Sequence, residues 1–294
     1  MDRKLYVGAL TDNRRWDRIT IRPDDVFVVT PPKCGTTWMQ TIVALLLSGD
    51  PDVETELSVK MPWVDIRIRE MDEVAERLAA MEHRRSLKSH TPMDGLPHDE
   101  RGQYLCVFRH PLDAHFSFRR HVRNIPMNWF DLFYPEGDDD MTFRRFLDGA
   151  AEGFDADAMP LAHIVQHYKA ALALSDQPNV TLFHYADMTR DLPGTFAKVA
   201  DLLGIEYPPA LMEELVQAAT FDHMKTNADR YAPSGGKGFM KSDSEFFHSG
   251  TSGKWHGKLT AEQLDAYEYV LEGFELSADE RHWLEHGNAT AERQ

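Results

Sequence analysis

The segment VVTPPKCGTTWMQ, residues 28–40, places a lysine, a cysteine and a glycine between an apolar run and a run with helical spacing. A strand that ends at Pro32 and a helix that starts at Thr36 would point several backbone N–H groups and a helix N-terminus at one spot. Gly35 would allow close approach of a ligand, and Lys33 would supply positive charge. This geometry suits an anion, but a plain strand-to-helix turn with a surface lysine fits the same residues equally well.

Two other kinds of chemistry are disfavoured at this segment. The phosphate-binding pattern G-x-x-x-x-G-K-[ST] needs its lysine directly after a glycine, whereas Lys33 precedes Gly35. A nucleoside triphosphatase or a small-molecule kinase is therefore disfavoured. A nucleophilic Cys34 would need a base or an arginine cradle, but Gln40 stands where the C-x5-R pattern has its arginine. Cys34 is interpreted as a small loop residue.

The elements that must position these residues follow an alternating pattern. Helix-period segments lie between four short apolar runs, which predicts a parallel sheet with crossover helices. The clearest helix is predicted over 36–48, where Gly49 and Pro51 end it. We predict an α/β fold: a three-layer sandwich with a central parallel sheet and a P-loop-like strand-loop-helix, in a single domain over 1–294. The predicted strands are 25–32, 84–90, 103–111 and 180–188.

Three segments have no clear helix or strand period. Residues 225–258 are rich in Gly, Ser, Lys and aromatic residues, and this composition favours a loop that covers the cofactor and substrate over plain disorder. Residues 1–20 are expected to form a flexible N-terminal segment. The acidic run at 135–141 is expected to be a solvated loop, because it lacks the full calcium-loop pattern.

Composition limits the partners of the chain. The formal net charge of −16 argues against general binding to nucleic acid or to anionic membranes. The first twenty residues contain no signal-peptide core, and the longest apolar stretch, IVALLLSG, is too short to span a bilayer. Only two cysteines occur, so a disulfide framework is not expected. These features predict a cytoplasmic protein.

The segment TPPKCGTTW resembles the 5′-phosphosulfate loop, T-Y-P-K-S-G-T-T-W, of the cytosolic-type sulfotransferases, with Cys34 where the family usually has serine. These enzymes use 3′-phosphoadenosine 5′-phosphosulfate (PAPS). LKSHTPMDGLP is similar to the family's K-T-H-x-P-x-x-x-L-P, and YLCVFRHPLDAHFSF resembles its 3′-phosphate segment. TLFHYADM, TFDHMKTN and MPWVDIR resemble an adenine-contacting strand, the T-S-F-x-x-M-K segment and the substrate-side S-P-W-x-E stretch. The chain is therefore identified as a divergent, bacterial-like member of this family.

The resemblance implies transfer of a sulfo group by in-line displacement from PAPS to a hydroxyl, or an amine, of a small-molecule acceptor. It implies His90 as the general base, Lys88 as a supporting lysine and Lys33 as the group that stabilises the leaving phosphate. No metal is expected, because lysine and the helix start replace it. The acceptor, expected to be aromatic or apolar, is predicted to contact Trp63, His115 and Phe116. The residues implied for PAPS and its product, adenosine 3′,5′-bisphosphate, are Lys33, Cys34, Gly35, Thr36, Thr37, Trp38, Arg109, Ser117, Tyr185, Phe221, Met224, His248, Ser249 and Gly250.

The chain departs from the family pattern near its end. The family's R-K-G-x-x-G-D-W-K stretch is HSGTSGKWHG here, so His248 and Ser249 replace two cations and Lys254 replaces an aspartate. A weaker grip on the 3′-phosphate is expected unless a nearby lysine substitutes. The dimer motif K-x-x-x-T-V-x-x-x-E is degraded too, which leaves monomer and homodimer open. A catalytically inactive adenosine bisphosphate sensor on the same fold is the alternative function. The lysines that could substitute are Lys237, Lys241, Lys254 and Lys258.

Overall fold

The computed structural model describes residues 3–52, 57–126, 137–149, 157, 159–232 and 240–289. Within these residues a single parallel sheet has the strand order β2-β1-β3-β4. Its strands are β1 (Val26–Val29), β2 (Ser86–Ser89), β3 (Gln103–Phe108) and β4 (Val180–His184). The helices are α1 (Thr36–Ser48), α2 (Leu57–Lys60), α3 (Met71–Ala80), α4 (Pro111–Asn124), α5 (Asp139–Asp148), α6 (Leu161–Leu172), α7 (Tyr185–Arg190), α8 (Leu192–Leu203), α9 (Pro209–Ala218), α10 (Phe221–Thr226), α11 (Ala228–Tyr231), α12 (Ala261–Glu272) and α13 (Ala278–His286).

The central strands are buried on both faces, as their unbroken apolar sequence predicts. Because side chains alternate along a strand, Phe27 and Val29 pack into one apolar cluster with helices α4, α5 and α6. Val26 and Val28 point the other way, into a second cluster with helices α1, α8 and α9. Two helical layers thus enclose the sheet, and the predicted α/β fold with a parallel central sheet is confirmed.

The predicted strands are found in their places, but their ends differ. Helix α1 begins and ends at the predicted residues. The fourth predicted strand is too long, since β4 ends at His184 and Tyr185 begins helix α7. The Ala186 N–H donates to His184 Nδ1 at 3.2 Å, and this cap starts the helix inside an apolar run that looks like continuous strand. Tyr185 therefore belongs to a helix start rather than to a strand.

Parts of two further segments, the N-terminal segment and the acidic run, also have defined structure. Trp16, which is 2% exposed, lies in a short 3-10 helix with its ring centroid 5.8 Å from that of Phe27. Residues 3–20 thus have packing contacts that a loose segment would lack. In the acidic run, residues 135 and 136 lie outside the described residues, and Asp138 caps helix α5 by accepting the Met141 N–H at 2.8 Å. In the described part of the chain, no helix is both long and apolar enough to cross a membrane.

A buried ion pair ties together the starts of β1 and β2. Arg85 Nε donates to Asp25 Oδ1 at 2.7 Å, Arg85 Nη2 donates to Asp25 Oδ2, and both side chains are almost fully buried. Arg85 Nη2 also donates to the Thr20 carbonyl at 2.8 Å. One guanidinium thus joins the residue directly before β1, Asp25, to the residue directly before β2, Arg85 itself.

Replacing Arg85 by methionine is expected to lower the free energy of unfolding by about 3–5 kcal/mol, because it leaves the Asp25 carboxylate buried without its cation. Urea unfolding measures the change. The control is Arg101→Met, since Arg101 pairs with Asp99 at the surface and its side chain is 65% exposed; its loss should cost less than about 1 kcal/mol. Equal unfolding free energies for the two variants would contradict the role of the buried pair.

Candidate active site

A cavity of about 1170 Å³ opens beside the carboxyl ends of the strands. The loops that follow β1, β2, β3 and β4 meet there because parallel strands end at the same edge, where ligands bind in open α/β sheets. These loops bring Lys33, His90, Arg109 and Tyr185 to one lining. Every site residue predicted from the sequence lines this cavity except Cys34 and His115.

Cys34 and His115 are instead part of the core. Cys34 is 0% exposed, and burial raises the pKa of its thiol to about 12, so the thiol stays protonated and is not a nucleophile. His115 is also 0% exposed, and its ring centroid lies 4.4 Å from that of Phe146 in helix α5. Because helix α4 turns about 100° per residue, the side chains of Phe116 and Ser117 reach the cavity while His115 faces the core. The structure therefore does not bring His115 to the predicted acceptor site.

The loop between β1 and α1 is held in an unusual backbone conformation. Lys33 has a φ of 64°, which residues other than glycine rarely adopt, and Gly35 has a φ of 111°. A Cβ atom on Gly35 would lie 3.1 Å from Cδ2 of Tyr185, so a larger residue would crowd that ring. The hydroxyls of Thr30 and Thr36 lie 2.5 Å apart and share a hydrogen bond across the loop. The loop presents the free N–H groups of the first turn of α1 beside the cavity.

Positive charge is concentrated in this cavity although the whole chain is acidic. Burial, together with the neighbouring charges of Lys254, Arg109 and Lys88, lowers the pKa of Lys33 to about 7. Burial likewise lowers the pKa values of Lys88 and Lys254 to about 8. The Lys33 ammonium lies 3.9 Å above the ring of Phe246. Repulsion among these cations would be relieved by an anion. The carboxylates on the lining already contact arginine or hydroxyl groups: Asp139, Asp157 and Glu245.

The tautomer of the His90 ring follows from its hydrogen bond to Thr30. Its Nδ1 lies 2.7 Å from the Thr30 carbonyl oxygen, which can only accept, so Nδ1 carries the proton and Nε2 has a free lone pair. Burial, together with the charge of Lys88, holds the pKa of His90 well below its ordinary value. His167 Nε2 donates to the His90 carbonyl at 2.8 Å, and the Trp63 ring lies edge-on at 4.7 Å between centroids. His90 is therefore a neutral, oriented proton acceptor.

Arg109 is 3% exposed and retains an unused donor. Its Nη2 donates to the Thr251 carbonyl at 2.6 Å, and its guanidinium lies 4.1 Å above the ring of Tyr185. Its Nε is buried and has no hydrogen-bond partner among the described residues. A buried donor without a partner is costly, so this group suits the oxygen of a ligand.

The segment 240–258 forms one wall of the cavity. Gly250 has a φ of 61°, and a Cβ atom there would lie 2.6 Å from the Phe221 ring, so glycine allows this close approach. Of the lysines considered above, Lys254 and Lys258 line the cavity. Lys241 instead donates to the Arg123 carbonyl at 2.8 Å, and Lys237 lies outside the described residues.

His121 is not among the site residues predicted from the sequence. It lines the cavity, its ring centroid lies 5.7 Å from that of Phe246, and its Nδ1 is buried without a hydrogen-bond partner among the described residues. Burial and then Lys33 and Lys88 hold the pKa of His121 well below its ordinary value. Its spacing of four residues from Ser117 on one helix was the available signal. His121 thus adds a second neutral imidazole near the two lysines.

Within the described ranges, no group of three His, Cys, Asp or Glu residues could hold a metal ion.

The chain is similar to known proteins in sequence and in fold. The sulfotransferase domain model matches residues 23–280. The chain is 35% identical to a glycolipid sulfotransferase of Mycobacterium bovis, over 92% of this chain and 90% of the relative. A mouse sulfotransferase solved with adenosine 3′,5′-bisphosphate (PAP) has the same fold, with a TM-score of 0.71, 20% identity and 94% of each chain covered. Retinol dehydratase in complex with androsterone and inactive cofactor PAP has a TM-score of 0.70 at 21% identity, covering 90% and 87%. Because the domain model spans most of the chain and the mycobacterial relative is similar over nearly its full length, the chain belongs to the sulfotransferase family.

Proposed function

We propose that the protein transfers the sulfo group of PAPS to a hydroxyl, or an amine, of a small-molecule acceptor. The observation that carries the proposal is the neutral His90, whose Nε2 lone pair is free on the same cavity that Lys33 and Lys88 line. A proton acceptor beside two cations is what an in-line displacement requires, because a proton must leave the attacking oxygen while negative charge grows on the leaving oxygen.

The lining fits a nucleotide with a phosphate group at each end. Lys33, Thr36 and Thr37, with the first turn of α1, would hold the 5′-phosphosulfate. Arg109 and Ser117 would hold the 3′-phosphate, and the buried Nε of Arg109 offers it an unused donor. Between these groups an aromatic wall would contact the adenine. The wall consists of Trp38, Tyr185 and Phe221, with the Trp38 Nε1 fixed by the Ala219 carbonyl at 2.9 Å.

The bound donor supplies the sulfur atom and a phosphate leaving group. His90 Nε2 would accept the proton of the attacking hydroxyl, and the Thr30 carbonyl would stabilise the imidazolium through Nδ1–H. The Lys33 ammonium would stabilise the negative charge of the leaving phosphate. Lys88 lies 4.1 Å above the Trp63 ring and would add positive charge to the same lining.

The acceptor is proposed to combine a hydroxyl with an apolar portion. The Mycobacterium bovis relative is named a glycolipid sulfotransferase, and the acceptor side of this cavity is apolar. Ile68 also lines the cavity and is 51% exposed, so an aliphatic side chain of the lining is open to solvent. A lipid-linked sugar or a ring-bearing alcohol would use such a lining. The apolar residues concerned are Leu10, Trp63, Ile66, Ile68, Phe116 and Met240.

The direct test uses the purified protein with PAPS labelled in its sulfo group. Phenols, long-chain alcohols and glycolipids are offered as acceptors, and label in the product is measured with and without adenosine 3′,5′-bisphosphate as a competing ligand. We expect transfer to at least one class and inhibition by the bisphosphate. Binding of the bisphosphate with no transfer across the panel would contradict the enzyme and favour the sensor.

Binding of adenosine 3′,5′-bisphosphate is expected to take up protons. In the free protein the pKa of Lys33 is about 7 and that of Lys254 is about 8, mainly because of burial. A polyanion raises these pKa values, so lysines that lost their proton regain it on binding. Because the ligand's phosphates are already ionised above about pH 7, affinity should fall by at least about tenfold between about pH 7.5 and pH 9.5.

Calorimetry at about pH 8, in two buffers of different ionisation enthalpy, measures the protons taken up. The Lys33→Met variant serves as the control and should take up fewer protons than the natural protein. Proton release on binding, or an affinity independent of pH over this interval, would contradict the proposed contact between the lysines and the anion.

A further inference from the structure

Positions 248 and 249 supply no positive charge to the cavity. Burial, and then the nearby charges of Arg120 and Lys254, lower the pKa of His248 and so disfavour its charged form. The Ser249 hydroxyl lies 3.0 Å from that of Thr251 and shares a hydrogen bond with it. The proposed 3′-phosphate site would then have Arg109 as its cation, unless another residue contributes.

Lys254 is anchored next to this site through its backbone. Its N–H donates to Asp113 Oδ1 at 2.6 Å, and the Gly253 N–H donates to Asp113 Oδ2 at 2.8 Å. Asp113 is 1% exposed and lies one helical turn before Ser117 on α4, so the two side chains share a face. Asp113 therefore holds the backbone of Lys254 against the face of α4 that also carries Ser117.

The same segment is fixed from the opposite side by Arg109. Arg109 Nη2 donates to the Thr251 carbonyl at 2.6 Å, three residues before Lys254. Lys254 itself lines the cavity, and after burial the charge of Arg109 has the largest effect on its titration. Two cations thus lie close together, while the nearest carboxylate, Asp113, is occupied by two backbone N–H groups. This arrangement is suited to an anion that contacts both cations.

The other lysines of this region are less suitable. Lys241 lies off the lining and donates to the Arg123 carbonyl at 2.8 Å. Lys258 lies 5.0 Å above the ring of Phe116, on the side proposed for the acceptor. Lys225 also lies off the lining and donates to the His248 carbonyl at 3.5 Å. Of these four lysines, Lys254 is therefore the one whose position fits the nucleotide side of the cavity.

We propose that Lys254, together with Arg109, binds the 3′-phosphate of the donor nucleotide and replaces the positive charge that positions 248 and 249 lack. This inference rests on the proposed function, since it presupposes that the cavity binds the donor. It also makes Lys254 a residue that discriminates PAPS from nucleotides without a 3′-phosphate, because its backbone is anchored beside Arg109 and Asp113, on the side of the cavity proposed for that phosphate.

The test compares two ligands, adenosine 3′,5′-bisphosphate and adenosine 5′-phosphate, on the Lys254→Met variant. Loss of a charged hydrogen bond should raise the Kd of the bisphosphate by about 10- to 100-fold. The Kd of the 5′-phosphate should change by less than about threefold, which also shows that the pocket remains folded. Lys241→Met, from the same segment, is the matched control and should leave both Kd values unchanged.

A double variant tests whether a cation at position 248 can replace the one at position 254. In His248→Arg combined with Lys254→Met, an arginine returns to position 248, and we expect most of the bisphosphate affinity to return. A double variant as weak as Lys254→Met, an unchanged bisphosphate Kd in Lys254→Met, or an equal loss for both ligands would each overturn the assignment. Failure of the natural protein to bind the bisphosphate is a different result, which rejects the proposed function itself.

Discussion

Replacing His90 by alanine is expected to lower kcat for sulfo transfer by about 10²- to 10⁴-fold, the usual contribution of a general base. The affinity for adenosine 3′,5′-bisphosphate should stay within about threefold, because His90 is proposed to contact the acceptor hydroxyl and not the nucleotide. The kcat is measured with labelled PAPS, and the Kd by calorimetry. The histidine control is His98→Ala, since His98 is exposed, stacks on Tyr104 at 5.1 Å and does not line the cavity.

The pH profile gives an independent check on His90. Its pKa lies well below the ordinary value in the free protein, so the base stays deprotonated as the pH falls through about 6.5. The kcat/KM value, which reports groups of the free enzyme, should therefore not decline with an ordinary histidine titration near that pH. A decline centred at about 6.5, or full turnover in the alanine variant, would remove His90 as the base.

Much of the site could be predicted because local sequence and topology agree. The two central strands, β1 and β3, are almost wholly apolar, and strands in this pattern run parallel. Once they are parallel, the residues that follow them must meet at one edge, which brings Lys33, His90 and Arg109 together from distant parts of the chain. The order of the motifs along the sequence then predicts which residues line the cavity, although the sequence itself shows no contact between them.

The remaining features depend on contacts that the local pattern does not contain. His115 and His121 lie on the same helix, and only the packing of α5 against α4 decides that the first faces Phe146 and the second faces the cavity. Tyr185 ends an apolar run, and its change to a helix depends on the cap by His184. The anchoring of Lys254 depends on Asp113, which is distant in the sequence.

Replacing Lys33 by methionine is expected to lower kcat by about 10²- to 10³-fold, the usual cost of losing one group that stabilises transition-state charge. Methionine keeps an apolar chain that can pack on Phe246, so the change mainly removes the ammonium. The Kd of adenosine 3′,5′-bisphosphate should rise by only about tenfold, because other donors also hold the 5′-phosphate. Single-turnover rates with saturating PAPS measure the chemical step. The control is Lys169→Met, because the Lys169 ammonium is exposed and donates to the Phe274 carbonyl at 3.1 Å.

The Lys33→Arg variant separates loss of charge from loss of shape. In the natural protein the pKa of Lys33 is about 7, so its ammonium is lost as the pH rises through that value, and kcat/KM should decline on the alkaline side. Arginine stays charged, so this decline should move to higher pH in the variant even if a planar guanidinium lowers the rate at every pH. An alkaline decline at the same pH in both proteins would mean that another group titrates and that Lys33 is not the residue whose charge the reaction requires.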